Sequence, residues 1–242
     1  MFDAKKIKKL GFSNTAIFSS VDSTNDFLSE MTTSGKESII AVSQMQTKGR
    51  GRFAREWVSL KGGLYFSFTE KHENIVYPLQ LFPIACAIGV YRYLESLRIP
   101  LLRYKWPNDI LVKNRKISGI LCEFSESVII AGIGVNINTE AFPEEISDFA
   151  VSVYSIKRRE YSLTDALVEI VNNIRNVKNS AEITKFMNES GMIGKRIMFS
   201  SNGRIIEGTV DSFKENGEIV INSNSILESF IAGDATFVRE RE

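Results

Sequence analysis

The sequence predicts an α+β protein in two parts: a mixed β-sheet flanked by helices over residues 1–191, then a small β-barrel over residues 192–242. Three observations carry that prediction. Apolar side chains keep helical spacing over residues 78–97, at Leu81, Ile84, Ala85, Ile88, Tyr91 and Leu94. Short strand-like runs stand on both sides of that helix. Beyond Gly191 the texture changes to brief β-rich segments punctuated by Gly194, Gly203, Gly208, Gly217 and Gly233, which places the boundary near Met192.

In chain order, residues 15–19 read as a short strand, and Ser23 is a candidate N-cap for a helix reaching Met31, with Asp26 in its first turn. Residues 39–44 form a second strand that feeds a basic loop. Residues 64–69 emerge from that loop as a third strand, with Gly62 and Gly63 at the turn. After the long helix come strands at 102–105, 109–112 and 116–124, separated by a break at Trp106, Pro107 and Asn108 and by a turn at 113–115. Residues 128–135 are a continuous apolar run containing Gly132 and Gly134, the pattern of a buried strand approached closely by a ligand or another backbone. Helices at 163–177 and 181–189 complete the larger part.

Composition narrows the function classes. With 30 basic and 29 acidic residues, the chain has no overall nucleic-acid-binding excess, so any basic site is local. Cys86 and Cys122 lie among apolar neighbours and read as buried thiols rather than a disulfide. The single histidine, His72, has no companion Cys or His, which argues against a transition-metal site and a catalytic histidine. Lys5, Lys6, Lys8 and Lys9 precede no apolar run, so no signal peptide is expected; no 18-residue apolar segment reads as a membrane span. The cytoplasm is the expected location.

Between Gln46 and Trp57, Lys48, Arg50, Arg52 and Arg55 stand against one acid, Glu56, with Gly49 and Gly51 expected to give close backbone approach and positive φ. Such a loop suits phosphate or carboxylate. By itself it is equally a solvated turn or a local nucleic-acid patch. Lys105, Trp106, Pro107, Asn108 and Asp109 put a cation, an aromatic, a chain break and a carboxylate at a strand end, where an acid beside an amide suits magnesium or a ribose. The bland reading is an Asn-Asp turn with Trp106 in the core. Lys116 adds a second lysine across the predicted hairpin. Together these segments supply cations and positioning without a nucleophile elbow, a Walker A pair or a metal cluster, an inventory that suits joining a carboxylate to ATP.

The ordered set resembles the biotin protein ligases. It comprises Asp22 to Asn25, Gln46 through Trp57, Lys105 to Asp109, Arg115, Lys116, Ser118 to Leu121 with Glu123, and Gly132, Gly134, Asn136 and Asn138. The resemblance implies that Ser23, Thr24, Asn25 and Gln46 hydrogen-bond the ureido ring of biotin. Gly49 and Arg50 would lie along its valerate and carboxylate, Lys116 would hold the carboxylate and later the acyl oxygen, and Gly119 would admit biotin close to the strand. It further implies that Arg52, Arg55, Lys105 and Asn108 meet the phosphates, Trp57 covers the adenine, Asn136 contacts the nucleotide and Asp109 supports magnesium. Lys116, Arg50 and Arg52 would carry the chemistry. The family commonly has a third glycine between the second and third arginines of the loop; here Phe53 and Ala54 fill that interval, and alanine resists positive φ.

The implied reaction joins biotin to MgATP as biotinyl-5′-AMP, with release of pyrophosphate, and then transfers biotin to a lysine of a biotin carboxyl carrier protein or carboxylase. Biotin, ATP and magnesium enter as substrates, with no permanently bound cofactor. The C-terminal barrel resembles the family's SH3-like domain, and family members pair sheet edges as homodimers. Some members carry an N-terminal winged helix-turn-helix; the dozen residues before the first strand are too few for one, so a ligase without DNA binding is expected. The alternatives are a lipoate or octanoyl transfer enzyme on the related fold, and a nucleic-acid or peptide-binding module built on the barrel.

Overall fold

The local signals that start most of the helices are visible in the computed structural model, which describes residues 2–238. Asp3 caps α1 (Ala4–Lys8) by accepting from the N–H groups of Lys5 and Lys6. Strand β1 (Asn14–Phe18) follows. Ser23 then caps α2 (Thr24–Thr33), its hydroxyl accepting from the Asp26 N–H at 3.3 Å. Strands β2 (Ile39–Ser43) and β3 (Leu64–Lys71) flank the basic loop. The predicted helix of 78–97 divides: a 3₁₀ turn at Leu79–Leu81 opens α3 (Phe82–Ser96), with Pro83 in its first turn, where the missing N–H leaves no bond unmade.

Strands β4 (Leu102–Lys105), β5 (Asp109–Val112), β6 (Arg115–Phe124) and β7 (Val128–Val135) then run antiparallel. Two short helices the sequence did not announce follow, α4 (Glu144–Ser147) and α5 (Val153–Lys157), the second set by a reciprocal cap between Ser152 and Ser155. Ser162 and Asn179 cap α6 (Leu163–Arg175) and α7 (Ser180–Asn188). The remaining strands are β8 (Arg196–Ser201), β9 (Arg204–Phe213), β10 (Ile219–Ser223), β11 (Ile226–Phe230) and β12 (Asp234–Phe237).

Two sheets result. The first has seven strands in the order β1-β2-β3-β7-β6-β5-β4, mixed because β1 and β2 are parallel and every other pair is antiparallel. Alternation along β2 divides its residues between two apolar clusters: Ile40 and Val42 join the large core that includes α3 and α6, and Ile39 and Ala41 pack with Leu28 of α2. Both faces are therefore covered by helices. The second sheet is antiparallel, in the order β11-β10-β9-β8-β12, with β11 and β12 at its edges.

The two parts are joined through Trp106. Its ring is buried, its indole N–H donates to the Gly217 carbonyl at 3.0 Å, and its backbone N–H points to the Met192 sulfur at 3.0 Å. Gly217 has positive φ (89°), and a Cβ there would lie 2.6 Å from a Leu81 methyl, so glycine alone suits this junction. Among the described residues no helix is long and apolar enough to cross a membrane. Cys86 is buried and Cys122 half-buried, both as free thiols.

The basic loop departs from its expected backbone. Neither Gly49 nor Gly51 takes positive φ; Phe53 and Ala54 do, at 56° and 55°. Gly49 is needed for closeness instead, because a Cβ there would collide with the Trp57 carbonyl. The resistance of alanine to positive φ is overcome by the loop's anchors: the Gly51 N–H donates to Arg55 O at 2.7 Å and the Trp57 N–H to Gly49 O at 2.9 Å, which closes the turn around residues 52–54.

Candidate active site

Strand register makes the floor of the cleft. Gly132 of β7 pairs with Ser67 of β3 and Leu121 of β6, and the adjacent row aligns Tyr65, Gly134, Gly119 and Asp109 across four strands. Three glycines thus leave one stretch of sheet bare on the α2 side. Side chains lie down on it. A Cβ on Gly132 would strike the Asn25 amide, while one on Gly134 or Gly119 would come within 2.6 or 2.8 Å of the Trp57 ring. The sequence allowed a ligand or a backbone against these glycines; Asn25 and Trp57 are what touch them. The Trp57 Nε1–H is buried and has no acceptor among the described residues.

One end of the cleft is a hydrogen-bonded corner at the start of α2. The Thr24 N–H donates to Gln46 Oε1 at 2.8 Å, and the Thr24 hydroxyl lies 3.0 Å from the same oxygen and 2.6 Å from Ser67 Oγ. Ser67 Oγ donates to Asn25 Oδ1 at 2.6 Å, and Asn25 Nδ2 donates to Glu123 Oε2 at 2.6 Å. Ser23, Thr24 and Asn25 are all buried, yet they line the cleft. Arg50 reaches this corner from the loop, paired with Asp26 and, at 3.1 Å, with Glu123. The Asp26 hydrogen bond, as the largest influence, raises the Arg50 guanidinium above its already high pKa.

The other end is a run of alternating charges. Lys116 Nζ lies 2.7 Å from Asp109 Oδ1 and over the Trp57 ring at 5.2 Å; Lys105 Nζ lies 3.5 Å from Asp109 and 3.8 Å from Asp234. Arg55 pairs with Asp234 at 2.6 Å, and Arg52 donates to the Gly233 carbonyl at 2.8 Å. Burial pulls the Arg52 pKa down, opposed by the charges of Asp234 and Asp109. The side chain of Asn108 secures the turn by donating to Ile120 O at 2.7 Å. Among the described residues no group of three or more His, Cys, Asp or Glu side chains is placed to hold a metal ion.

Ser23, Thr24, Asn25, Gln46, Arg50, Arg52, Arg55, Trp57, Asn108, Asp109, Lys116 and Gly119, singled out from sequence, all line this one cleft. Gly49, Lys105 and Asn136 stand behind it. Gly49 packs under Trp57, Lys105 is held between two carboxylates, and the Asn136 amide donates to Val151 O at 3.2 Å and Lys116 O at 3.4 Å. Sequence reasoning missed Asp234, which arrives from the second sheet, and Ser67, a small polar residue between two phenylalanines of β3. It quoted Glu123 without a role. For Ser67 the available signal was its polarity inside the run Leu-Tyr-Phe-Ser-Phe; for Asp234 there was none. Chemically, the cleft offers a neutral corner of donors and acceptors beside a cationic end, an arrangement for a polar ring carrying an anion and for a second, more highly charged anion.

Comparison with known families places this fold and cleft: residues 17–140 match the model of the biotin/lipoate A/B protein ligase family, and the chain belongs to that family. It is 37% identical over 129 residues to the bifunctional ligase/repressor BirA of Bacillus subtilis, covering 48% of this chain and 38% of that protein. It is 28% identical over 156 residues to the biotin–[acetyl-CoA-carboxylase] ligase of Mycobacterium tuberculosis, covering 60% and 57%. The chain therefore matches less than two thirds of the length of these curated relatives. Among solved structures, the biotin protein ligase of Aquifex aeolicus in complex with biotin and ATP superposes with a TM-score of 0.77 at 29% identity, over 95% of this chain and 100% of that one.

Proposed function

We propose that the chain is a biotin protein ligase, which activates biotin with ATP as biotinyl-5′-AMP and passes it to a lysine of a biotin carboxyl carrier protein or carboxylase. The observation that carries this is one cleft with a neutral hydrogen-bonding corner at Thr24 and Gln46 and a cationic end at Lys116, Arg52 and Arg55. A cyclic urea suits the corner. A carboxylate beside a triphosphate suits the cations, which offset the repulsion of two anions brought into contact. The Aquifex aeolicus enzyme, whose complex holds biotin and ATP, supports the same pair of substrates.

In this reading Ser23, Thr24, Asn25 and Gln46 form the ureido corner, with Arg50 and Lys116 at the biotin carboxylate. Gly49 holds the loop close, and Gly119 keeps the strand flat. Arg52, Arg55, Lys105 and Asn108 serve the phosphates, and Trp57 and Asn136 serve the nucleoside. Lys116 is held by Asp109 and exchanges that carboxylate for the substrate's. Magnesium arrives on the phosphates of ATP and Asp109 is the carboxylate assigned beside it, released from its lysines as the anions enter. The catalytic part is residues 1–191 and an SH3-like domain is residues 192–242. A homodimer and a cytoplasmic location complete the proposal, β1 and β4 being the sheet edges open to pairing.

The test is pyrophosphate release from MgATP with biotin, lipoate or octanoate supplied in parallel. Release with biotin alone is expected. Release with lipoate or octanoate instead moves the chain to the other branch of its family, and release with none refutes the ligase reading.

A further inference from the structure

We propose that Glu123 and Ser67 are positioning residues: they orient a one-way chain of hydrogen bonds that leaves Thr24 Oγ1 an obligate acceptor toward the cleft, and so select a substrate ring that offers an N–H there. This rests on the biotin reading above. Neither residue lines the cleft.

A carboxylate that accepts from Arg50 Nη2 at 3.1 Å has only lone pairs to offer its other neighbours. Asn25 must then turn its NH₂ group to Glu123, at 2.6 Å, with Leu121 O a further acceptor at 3.4 Å. Its carbonyl oxygen consequently faces Ser67 Oγ and takes that hydroxyl's single proton, at 2.6 Å. Ser67 has only lone pairs left for Thr24 Oγ1, 2.6 Å away, so Thr24 donates inward. With its proton committed, Thr24 Oγ1 has no donor for Gln46 Oε1, which takes the Thr24 backbone N–H at 2.8 Å instead. Gln46 Nε2 donates to Ser59 Oγ at 3.1 Å and keeps one N–H unassigned.

The corner therefore displays an acceptor at Thr24 and a spare donor at Gln46. A cyclic urea presents the complement, an N–H beside a carbonyl; a dithiolane ring or a plain acyl chain presents neither. The direction of the whole chain is set by the acceptor-only character of Glu123. An amide in its place can donate as well as accept, so the direction is lost although the shape is kept. Gly132 belongs to the same device, because any side chain there would displace the Asn25 amide.

The test measures kcat and the biotin KM for pyrophosphate release by Glu123→Gln, Ser67→Ala and the double variant, with melting temperatures alongside. It is repeated with a biotin analogue methylated on a ureido nitrogen. Each single variant is expected to raise the biotin KM about tenfold, the worth of one hydrogen bond of about 1.4 kcal/mol, with kcat changed less than about twofold. The double variant should also lie near tenfold rather than near a hundredfold, since both changes break one chain. Methylation should weaken the wild type more than Glu123→Gln. Unchanged KM in folded variants, full additivity, or a fall in kcat and melting temperature at constant KM overturns the proposal. If Ser67→Ala does not fold, the analogue comparison on Glu123→Gln decides. A wild type that releases pyrophosphate with biotin while the variants match it refutes this inference alone; a wild type inactive with biotin refutes the ligase reading and this inference with it.

Discussion

The Thr24–Gln46 corner of the cleft is held by hydrogen bonds among side chains on α2, β3 and β6, whereas the cationic end is held by ion pairs that cross to the second sheet. In the first, Asn25 has both ends of its amide engaged, while Thr24 Oγ1 keeps a lone pair and Gln46 Nε2 one N–H for the cleft. The second is satisfied by stand-ins. Asp109, Asp234 and the Gly233 carbonyl occupy cations that incoming anions would need. In the proposed reading, recognition of a neutral ring is built into regular elements, and recognition of charge is left to groups that exchange partners.

That contrast can be broken from either side. The largest effect is expected from Lys116→Ala at the exchanging end, which removes the cation beside the reacting carboxylate. Pyrophosphate release at saturating biotin should fall by about two orders of magnitude with little change in melting temperature. Near-normal release would show that Lys116 is only a partner for Asp109. Gly132→Ala attacks the hydrogen-bonded corner, where the new methyl meets the Asn25 amide; a loss of about 1–3 kcal/mol is expected, read as a drop in melting temperature and a higher biotin KM. An unchanged melting curve would mean that the corner yields more easily than its hydrogen bonds suggest.

Arg52→Gly sharpens the comparison by cutting one link between loop and second sheet without touching the corner. Biotinyl-5′-AMP should escape about tenfold faster, measured as adenylate retained on the protein after rapid gel filtration, with biotin binding unaltered. The smallest effect is expected from Ala54→Gly. It relieves left-handed backbone worth about 1 kcal/mol but adds freedom to the unfolded chain, so the melting temperature should move by no more than about 2 °C while adenylate retention is kept. A large fall in retention would show that the strained turn itself holds the loop shut.

Much of this architecture was legible in sequence, for reasons that differ by residue. The strands of the first sheet and the bare glycines of β6 and β7 follow from alternation and from where side chains are missing; Ser23 announced α2 through its cap. The short helices α4 and α5 escaped because four or five residues make too little periodicity, and α5 is set by a cap rather than by an apolar stripe. Positive φ was assigned to Gly49 and Gly51 because glycine is the usual host, and the loop's hydrogen bonds placed it on Phe53 and Ala54. Asp234 lies more than a hundred residues from the motifs it joins, and only tertiary structure brings it to Arg55. The segment of Trp106 divides: the indole is core, as the bland reading had it, while Asn108 and Asp109 line the cleft.

The indole of Trp106, bonded to Gly217 and seated beside Met192, also bears on how the molecule comes apart. Pulling the second sheet away would strand a buried N–H, bare a tryptophan and a methionine, and release Arg52 and Arg55 in the same event. Opening at that seam therefore disturbs the junction and the cationic end of the cleft together. Substitutions at Gly217, Gly233 or Asp234, remote in sequence from every motif, therefore bear on the cleft.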